Sequence, residues 1–175
     1  MITKHYLNTE EGLNQKILDG VNKLADNVAA TMGPRGRNVI LHAPGHSPVI
    51  TKDGATVARF VDFEDPFENA GAHIIKQAAE ETNNSAGDGT TTATVLARAI
   101  LVEAQRHLVA GNSPVELKRG IDRATEAIVE SLKSQSRKIT KLEDIEDIAT
   151  IAANGDRTIG KLLSTAIDMI GNDGS

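Results

Sequence analysis

The sequence predicts a mainly α-helical fold with a single β-hairpin. Three observations carry this expectation. Apolar residues recur at steps of three and four through much of the chain, which is the period of a helix face. Asp65-Pro66-Phe67-Glu68 and Ser113-Pro114-Val115-Glu116 each place a capping side chain, a proline and an acid in the order that opens a helix. Only residues 38–51 combine strand-like runs with a turn-forming loop.

Taken in order, Asn8 with Glu11 reads as a capping box ahead of the first helix. Leu13, Ile17, Val21, Leu24, Val28 and Met32 then form one apolar stripe, and Gly33-Pro34 stops the helix. Asn38 to His42 and Val49 to Thr51 read as the two strands of a hairpin around the loop Ala43 to Pro48. Asp53-Gly54 makes a turn into a short helical stretch, Thr56 to Phe60. The helix opened at Asp65 runs to about Asn83, with Phe67, Gly71, Ile74 and Ala78 expected on one face. Another helix runs from Thr90 to about Ala110, where Gly111 stops it. Leu117, Ile121, Ala124, Ile128 and Leu132 then give the most regular stripe in the chain. Ser134 to Thr140 is polar and basic and reads as a linker, followed by two shorter helices, about Lys141 to Ala153 and Arg157 to Ile170.

Composition narrows the function. Hydrophobic residues make up 39% of the 175 and charged residues 25%, which is a globular composition. Aromatic residues are 2%, so the core is expected to be aliphatic. A net charge of −5 argues against a general nucleic-acid surface. With no cysteine there is neither a disulfide nor a thiolate metal site. Residues 1–9 show no secretory pattern, and the richest apolar run, Val95 to Val102, is too short to span a bilayer. His42 and His46 flank Pro44 and Gly45, which excludes a helical metal-binding pair.

The stretch that breaks local rules is Thr82 to Thr94, where a helix meets Gly87-Asp88-Gly89 and restarts on Thr90, Thr91 and Thr92. Threonine and glycine are poor helix residues, and such violations concentrate at functional sites. A helix start offers unpaired N–H groups and a positive dipole end to an anion. Flanking glycines let a ligand approach the backbone, and three hydroxyls add donors. The carboxylate of Asp88 suits a magnesium ion bridging to phosphate. The competing reading makes Asp88 a helix N-cap and the threonines a polar first turn. Two further stretches could serve a nucleotide: Thr31-Met32-Gly33-Pro34-Arg35-Gly36, or an ordinary helix stop, and Thr51-Lys52-Asp53-Gly54, or a strand-ending turn. No Walker A pattern occurs.

These stretches, in this order and together with Phe67-Glu68-Asn69, Ala86 to Ala97 and Leu117 to Asp122, resemble the N-terminal part of a group I chaperonin of the GroEL type. The likeness runs from about Leu13 to Gly171. It implies a partial equatorial-domain fold over residues 1–135 and the start of an intermediate domain over 136–175. It also implies ATP, magnesium and potassium as ligands. Asp88 would hold magnesium, and Gly89, Thr90, Thr91 and Thr92 would contact phosphate. Thr31, Met32, Gly33 and Pro34 would line the nucleotide pocket, with Ile151 also near the nucleotide. Backbone oxygens near Thr31 and Lys52 would help hold potassium, and Asp53 would help place the attacking water. The family works as a cytoplasmic homo-oligomeric ring that encloses unfolded client proteins beneath a co-chaperonin lid, without nucleic acid or membrane.

The sequence departs from the family in several places. Ala152 stands where a serine is common, Arg137-Lys138 where a hinge proline is common, and the Ala43–Pro48 loop differs. Family members are also much longer. Two functions follow as expectations: a segment of an ATP-hydrolysing chaperonin subunit, or a truncated, non-catalytic structural or interaction module. A small phosphotransferase is a third, weaker reading, because no base or substrate pocket accompanies the Gly-Asp-Gly loop.

Overall fold

The computed structural model describes residues 12–171, so the Asn8–Glu11 capping box lies outside the described residues. Seven helices and one two-stranded sheet follow in the order α1 (Leu13–Ala29), β1 (Val39–Leu41), β2 (Val49–Thr51), α2 (Gly54–Phe60), α3 (Pro66–Ala86), α4 (Thr90–Val109), α5 (Pro114–Gln135), α6 (Leu142–Ala152) and α7 (Arg157–Ile170). The strands pair antiparallel, with Val39 opposite Thr51 and Leu41 opposite Val49. The mainly α class with one hairpin is thus the observed one. Two compact units divide the chain, one reaching to Leu117 and the other beginning at Lys118.

In the first unit α1, α2, α3 and α4 surround an aliphatic core of Val21, Leu24, Val28, Val57, Ala58, Ala72 and Ile75, closed by Leu41 of the hairpin. The α1 stripe packs inward as far as Val28, but the helix ends at Ala29 and leaves Met32 46% exposed. Along α3 the buried face is Gly71, Ala72, Ile75, Lys76 and Ala79. The expected face is corrected here, since Ile74 points outward and is 44% exposed. Adjacent isoleucines leave the choice open in sequence, and the crossing of α1 with α3 makes it. A Cβ on Gly71 would strike the Ile17 carbonyl, and one on Gly20 would strike the Glu68 carbonyl, so the two backbones meet at reciprocal glycines. Lys16 bonds Asp65 at 3.2 Å and Lys23 bonds Glu68 at 2.6 Å along the same seam. Lys76 is buried among these apolar groups and satisfies its ammonium on Asp62 at 2.8 Å.

The second unit is built on a tight α6–α7 hairpin. Asn154 and Gly155 turn it with positive φ, and Asp156 caps α7 by accepting from the Thr158 and Ile159 N–H groups. Gly160 lets α7 approach Thr150, whose hydroxyl a Cβ there would strike. Ala149, Gly160 and Ser164 are the buried residues of this pair. The α5 stripe read from sequence is regular, with Leu117 and Ile121 half-buried and Ala124, Ile128 and Leu132 exposed.

Candidate functional site

Three of the stretches singled out in sequence meet in the first unit, and Gly54 is where they meet. A Cβ on Gly54 would collide with Thr91 Oγ1, and would stand 3.2 Å from Val28 Cγ1 and 3.3 Å from Thr31 Oγ1. The first residue of α2 therefore sits against the first turn of α4 and the end of α1. Sequence spacing identifies each stretch, but their meeting depends on packing.

The α4 start has the features of an open helix terminus. Gly87 and Gly89 both adopt the left-handed region, with φ of 71° and 83°. Gly87 ends α3 with its N–H on the Asn83 carbonyl at 2.9 Å, and Gly89 occupies the cap position of α4. No side chain caps α4. Asp88 is not the N-cap: its Oδ1 accepts from the neighbouring Gly89 N–H at 2.6 Å, one residue short of the helix. The first intrahelical bond from this end runs from Ala93 N–H to Gly89 O, 2.9 Å, leaving the N–H groups of Thr90, Thr91 and Thr92 ahead of it. Thr90 is buried, Thr91 half-buried and Thr92 exposed, so the three hydroxyls do not present equally. Thr94, one turn on, is fully buried and donates to the Thr90 carbonyl at 2.9 Å.

Asp53 caps α2, accepting from Thr56 N–H at 2.9 Å and Ala55 N–H at 3.3 Å, and from the Thr56 hydroxyl. Partial burial pushes its carboxyl upward. The Thr56 hydroxyl, the two N–H groups and the Arg59 charge outweigh that and hold it below the ordinary value of 3.8. Asp53 therefore stays ionised near neutrality and its orientation is fixed by its own helix. Thr56 and Arg59 were not singled out in sequence, although a threonine three residues after an aspartate is a legible capping partner. Lys52 beside it is exposed.

Thr31 to Gly36 form a compact turn pinned to α1. Thr31 Oγ1 donates to Val28 O at 2.7 Å, and Arg37 N–H reaches back to Ala30 O at 2.8 Å. Gly33 has φ 75°, and Gly36 lies so close beneath the Thr31 carbonyl that any side chain there would strike it. Met32, Gly33 and Pro34 are exposed. Ile151, the remaining expected site residue, belongs to α6 of the second unit and is 73% exposed.

A separate cavity of about 230 Å³ lies between α2 and α3, lined by Ala55, Arg59, Lys76, Glu80, Asn83 and Asn84 among others. Among the described residues no three His, Asp or Glu side chains converge as a metal site. At the α4 start the Asp88 carboxylate is a group that could hold a divalent ion.

A mainly helical unit with one hairpin, in which a glycine-flanked helix start stands beside the aspartate-capped start of α2, has the fold of a partial chaperonin equatorial domain. A model of the TCP-1/cpn60 chaperonin family matches residues 24–174, and the chain belongs to that family. The solved structure of a group III chaperonin in the open state is similar over 91% of this chain and 32% of that one, with 27% identity and a TM-score of 0.76. Chaperonin gp146 from the bacteriophage EL 2 (Pseudomonas aeruginosa), solved in the presence of ATP-BeFx, is similar over 93% and 28%, with 28% identity and a TM-score of 0.71. The chain thus spans about a third of the length of these solved chaperonins. Among the described residues no helix is long and apolar enough to cross a membrane.

Proposed function

We propose that this chain is the ATP-binding segment of a chaperonin subunit of the group I type, with the nucleotide phosphates at the α4 start. The observation that carries the reading is the meeting of Thr31, Gly54 and Thr91 beside a helix terminus that no side chain caps. The backbone N–H groups of Gly89 to Thr92 would bind phosphate oxygens, and the Thr91 and Thr92 hydroxyls would orient them. Asp88 would hold magnesium, which when bound neutralises phosphate charge. Asp53, held ionised by its cap hydrogen bonds, would accept a hydrogen bond from the attacking water and aim it. Thr31, Met32, Gly33 and Pro34 would wall the nucleotide, the carbonyls of Thr31 and Lys52 would contribute to a potassium site, and Ile151 is the further nucleotide residue that the family resemblance assigns. On this reading residues 1–135 are equatorial and 136–175 intermediate. The intact subunit would act in a cytoplasmic homo-oligomeric ring on unfolded proteins, with a lid partner bound through other segments.

The test is calorimetric titration of ATP into the 175-residue chain, with and without magnesium, together with phosphate release. Three or four charged hydrogen bonds at about 1.5–3 kcal/mol each only narrowly offset an association cost of roughly 4–15 kcal/mol. Weak, magnesium-dependent binding that Asp88→Ala removes is the expected result, with negligible turnover. Binding that ignores both magnesium and Asp88→Ala would refute the phosphate assignment. A non-catalytic structural or interaction module is the second reading, favoured by Asp88 Oδ1 already accepting from the Gly89 N–H. Absence of nucleotide binding in a chain of full family length would decide for it.

A further inference from the structure

Three Asp-Gly dipeptides lie among the described residues: Asp19-Gly20, Asp53-Gly54 and Asp88-Gly89. The dipeptide carries a chemistry of its own. The amide nitrogen of the second residue can attack the side-chain carboxyl carbon of the first and close a five-membered succinimide ring. Glycine in second place leaves that nitrogen unhindered by a β-carbon. Ring closure then depends on whether the fold lets the nitrogen reach the carbon, and the three sites differ in this. Asp19 and Gly20 lie inside α1, where helical hydrogen bonding holds the main chain on both sides. Asp19 Oδ1 accepts from Gln15 Nε2 at 2.8 Å, and the Glu68 carbonyl stands where a Gly20 side chain would be. Asp53 has its carboxylate committed to the Ala55 and Thr56 N–H groups and the Thr56 hydroxyl. Gly54 is buried as the first residue of α2, with Thr91 Oγ1 packed against it. Asp88 is placed differently. It belongs to no helix and stands between Gly87 and Gly89, both in the left-handed region. Its Oδ1 accepts from the Gly89 N–H itself at 2.6 Å, so the carboxyl carbon is at most one C–O bond further from the nitrogen that would attack it. No main-chain carbonyl of the described residues takes that N–H.

We infer that Asp88-Gly89 is a self-modification site, at which the chain forms a succinimide and accumulates isoaspartate, while Asp19-Gly20 and Asp53-Gly54 are protected. Holding the reacting atoms in contact is what accelerates an intramolecular step, and only at Asp88 does the fold do so. In the first step the Gly89 nitrogen bonds to Asp88 Cγ and one carboxylate C–O bond breaks. That oxygen leaves as water, taking the amide proton and one proton from solvent. In the second step a water molecule adds to either ring carbonyl and the carbon–nitrogen bond there breaks. Opening at the side-chain carbonyl restores aspartate. Opening at the main-chain carbonyl leaves the chain running through Cβ and Cγ, with the carboxylate now on Cα. The isoaspartyl link adds one methylene to the main chain directly ahead of Gly89, the cap residue of α4. The conversion therefore alters the start of α4 and leaves the rest of the first unit as it was. The inference does not rest on the nucleotide reading, because it uses only the geometry of the dipeptide and needs no ligand.

The chain carries its own controls. Trypsin separates the three dipeptides onto the peptides Ile17–Lys23, Asp53–Arg59 and Gln77–Arg98. The native chain is aged at neutral pH in water labelled with heavy oxygen, so that every ring opening leaves a label, and then digested. Fragmentation of Gln77–Arg98 assigns the label to Asp88 rather than to Asn83 or Asn84 and identifies isoaspartate there. Labelling at Asp88 should run about ten-fold or more faster than at Asp19 or Asp53, where helix or cap hydrogen bonds must break first. In urea the three rates should converge, because all three share the same reacting pair. Asp88→Glu keeps the carboxylate but can close only a larger, slower-forming ring, so labelling at position 88 should be lost. Equal native rates at the three sites, or a rate at Asp88 no higher than at Asp53, would overturn the inference. So would a native rate at Asp88 far below its rate in urea, or undiminished labelling at position 88 in Asp88→Glu.

Discussion

Replacing Gly54 by alanine tests whether the three motifs share one packed point. In a free helix the substitution stabilises, by up to about 1 kcal/mol from backbone propensity. Here the added methyl would collide with Thr91 Oγ1 and crowd Val28 Cγ1 and Thr31 Oγ1 at 3.2 and 3.3 Å. Thr91 is β-branched and lies in the first turn of a helix, so its side chain has few rotamers in which to escape. Inserting a methyl into a filled site costs about 1–3 kcal/mol, so the net effect is a loss of roughly 1–2 kcal/mol. For a unit of this size that lowers Tm by about 5–10 °C, measured by circular dichroism. A double-mutant cycle identifies the cause. Thr91→Ala removes the struck atom and should recover most of the loss, while Thr91→Val keeps the bulk and should not. Magnesium-dependent ATP binding should fall in Gly54→Ala because the first turn of α4 is displaced. A stabilised Gly54→Ala, or equal behaviour of the two Thr91 partners, would refute the proposed convergence.

Three further outcomes follow. Gly71→Ala, whose new Cβ would meet the Ile17 backbone carbonyl rather than a movable side chain, should cost about 3 kcal/mol or more and be detected as a large drop in denaturation midpoint. Asp53→Ala should destabilise by about 1 kcal/mol through loss of the α2 cap. The Asp53 carboxyl is held below 3.8 in the folded chain, so its contribution is complete above about pH 4 and is lost as pH falls through the folded value. The difference between wild type and Asp53→Ala should therefore shrink in acid unfolding curves; a constant difference would show that the charge is not what matters. In a chain of full family length, Asp53→Asn should slow ATP hydrolysis more than it weakens ATP binding, since aiming a water acts mainly in the transition state; single-turnover kinetics separate the two.

What the sequence determined by itself was local. Helix starts at Pro66 and Pro114 follow from proline and capping chemistry confined to four residues, and both stand where they were expected. The hairpin and the Gly87–Gly89 break were legible for the same reason, as turns that need particular residues at particular φ. Periodicity also gave the inward face of α1, where the apolar positions are unambiguous as far as Val28. Tertiary structure decided the rest. It chose Ile75 over Ile74 because two reciprocal glycines fix how α1 crosses α3. It made Asp53 a cap and denied that role to Asp88, although both aspartates stand beside a glycine. It half-buried Leu117 and Ile121 of the α5 stripe and left Ile128 and Leu132 exposed, which no period can reveal, since periodicity reports that a face is apolar and not what lies against it. The meeting of Thr31, Gly54 and Thr91 is of the same kind: residues far apart in sequence come together only because the core beneath them holds three helices in one arrangement.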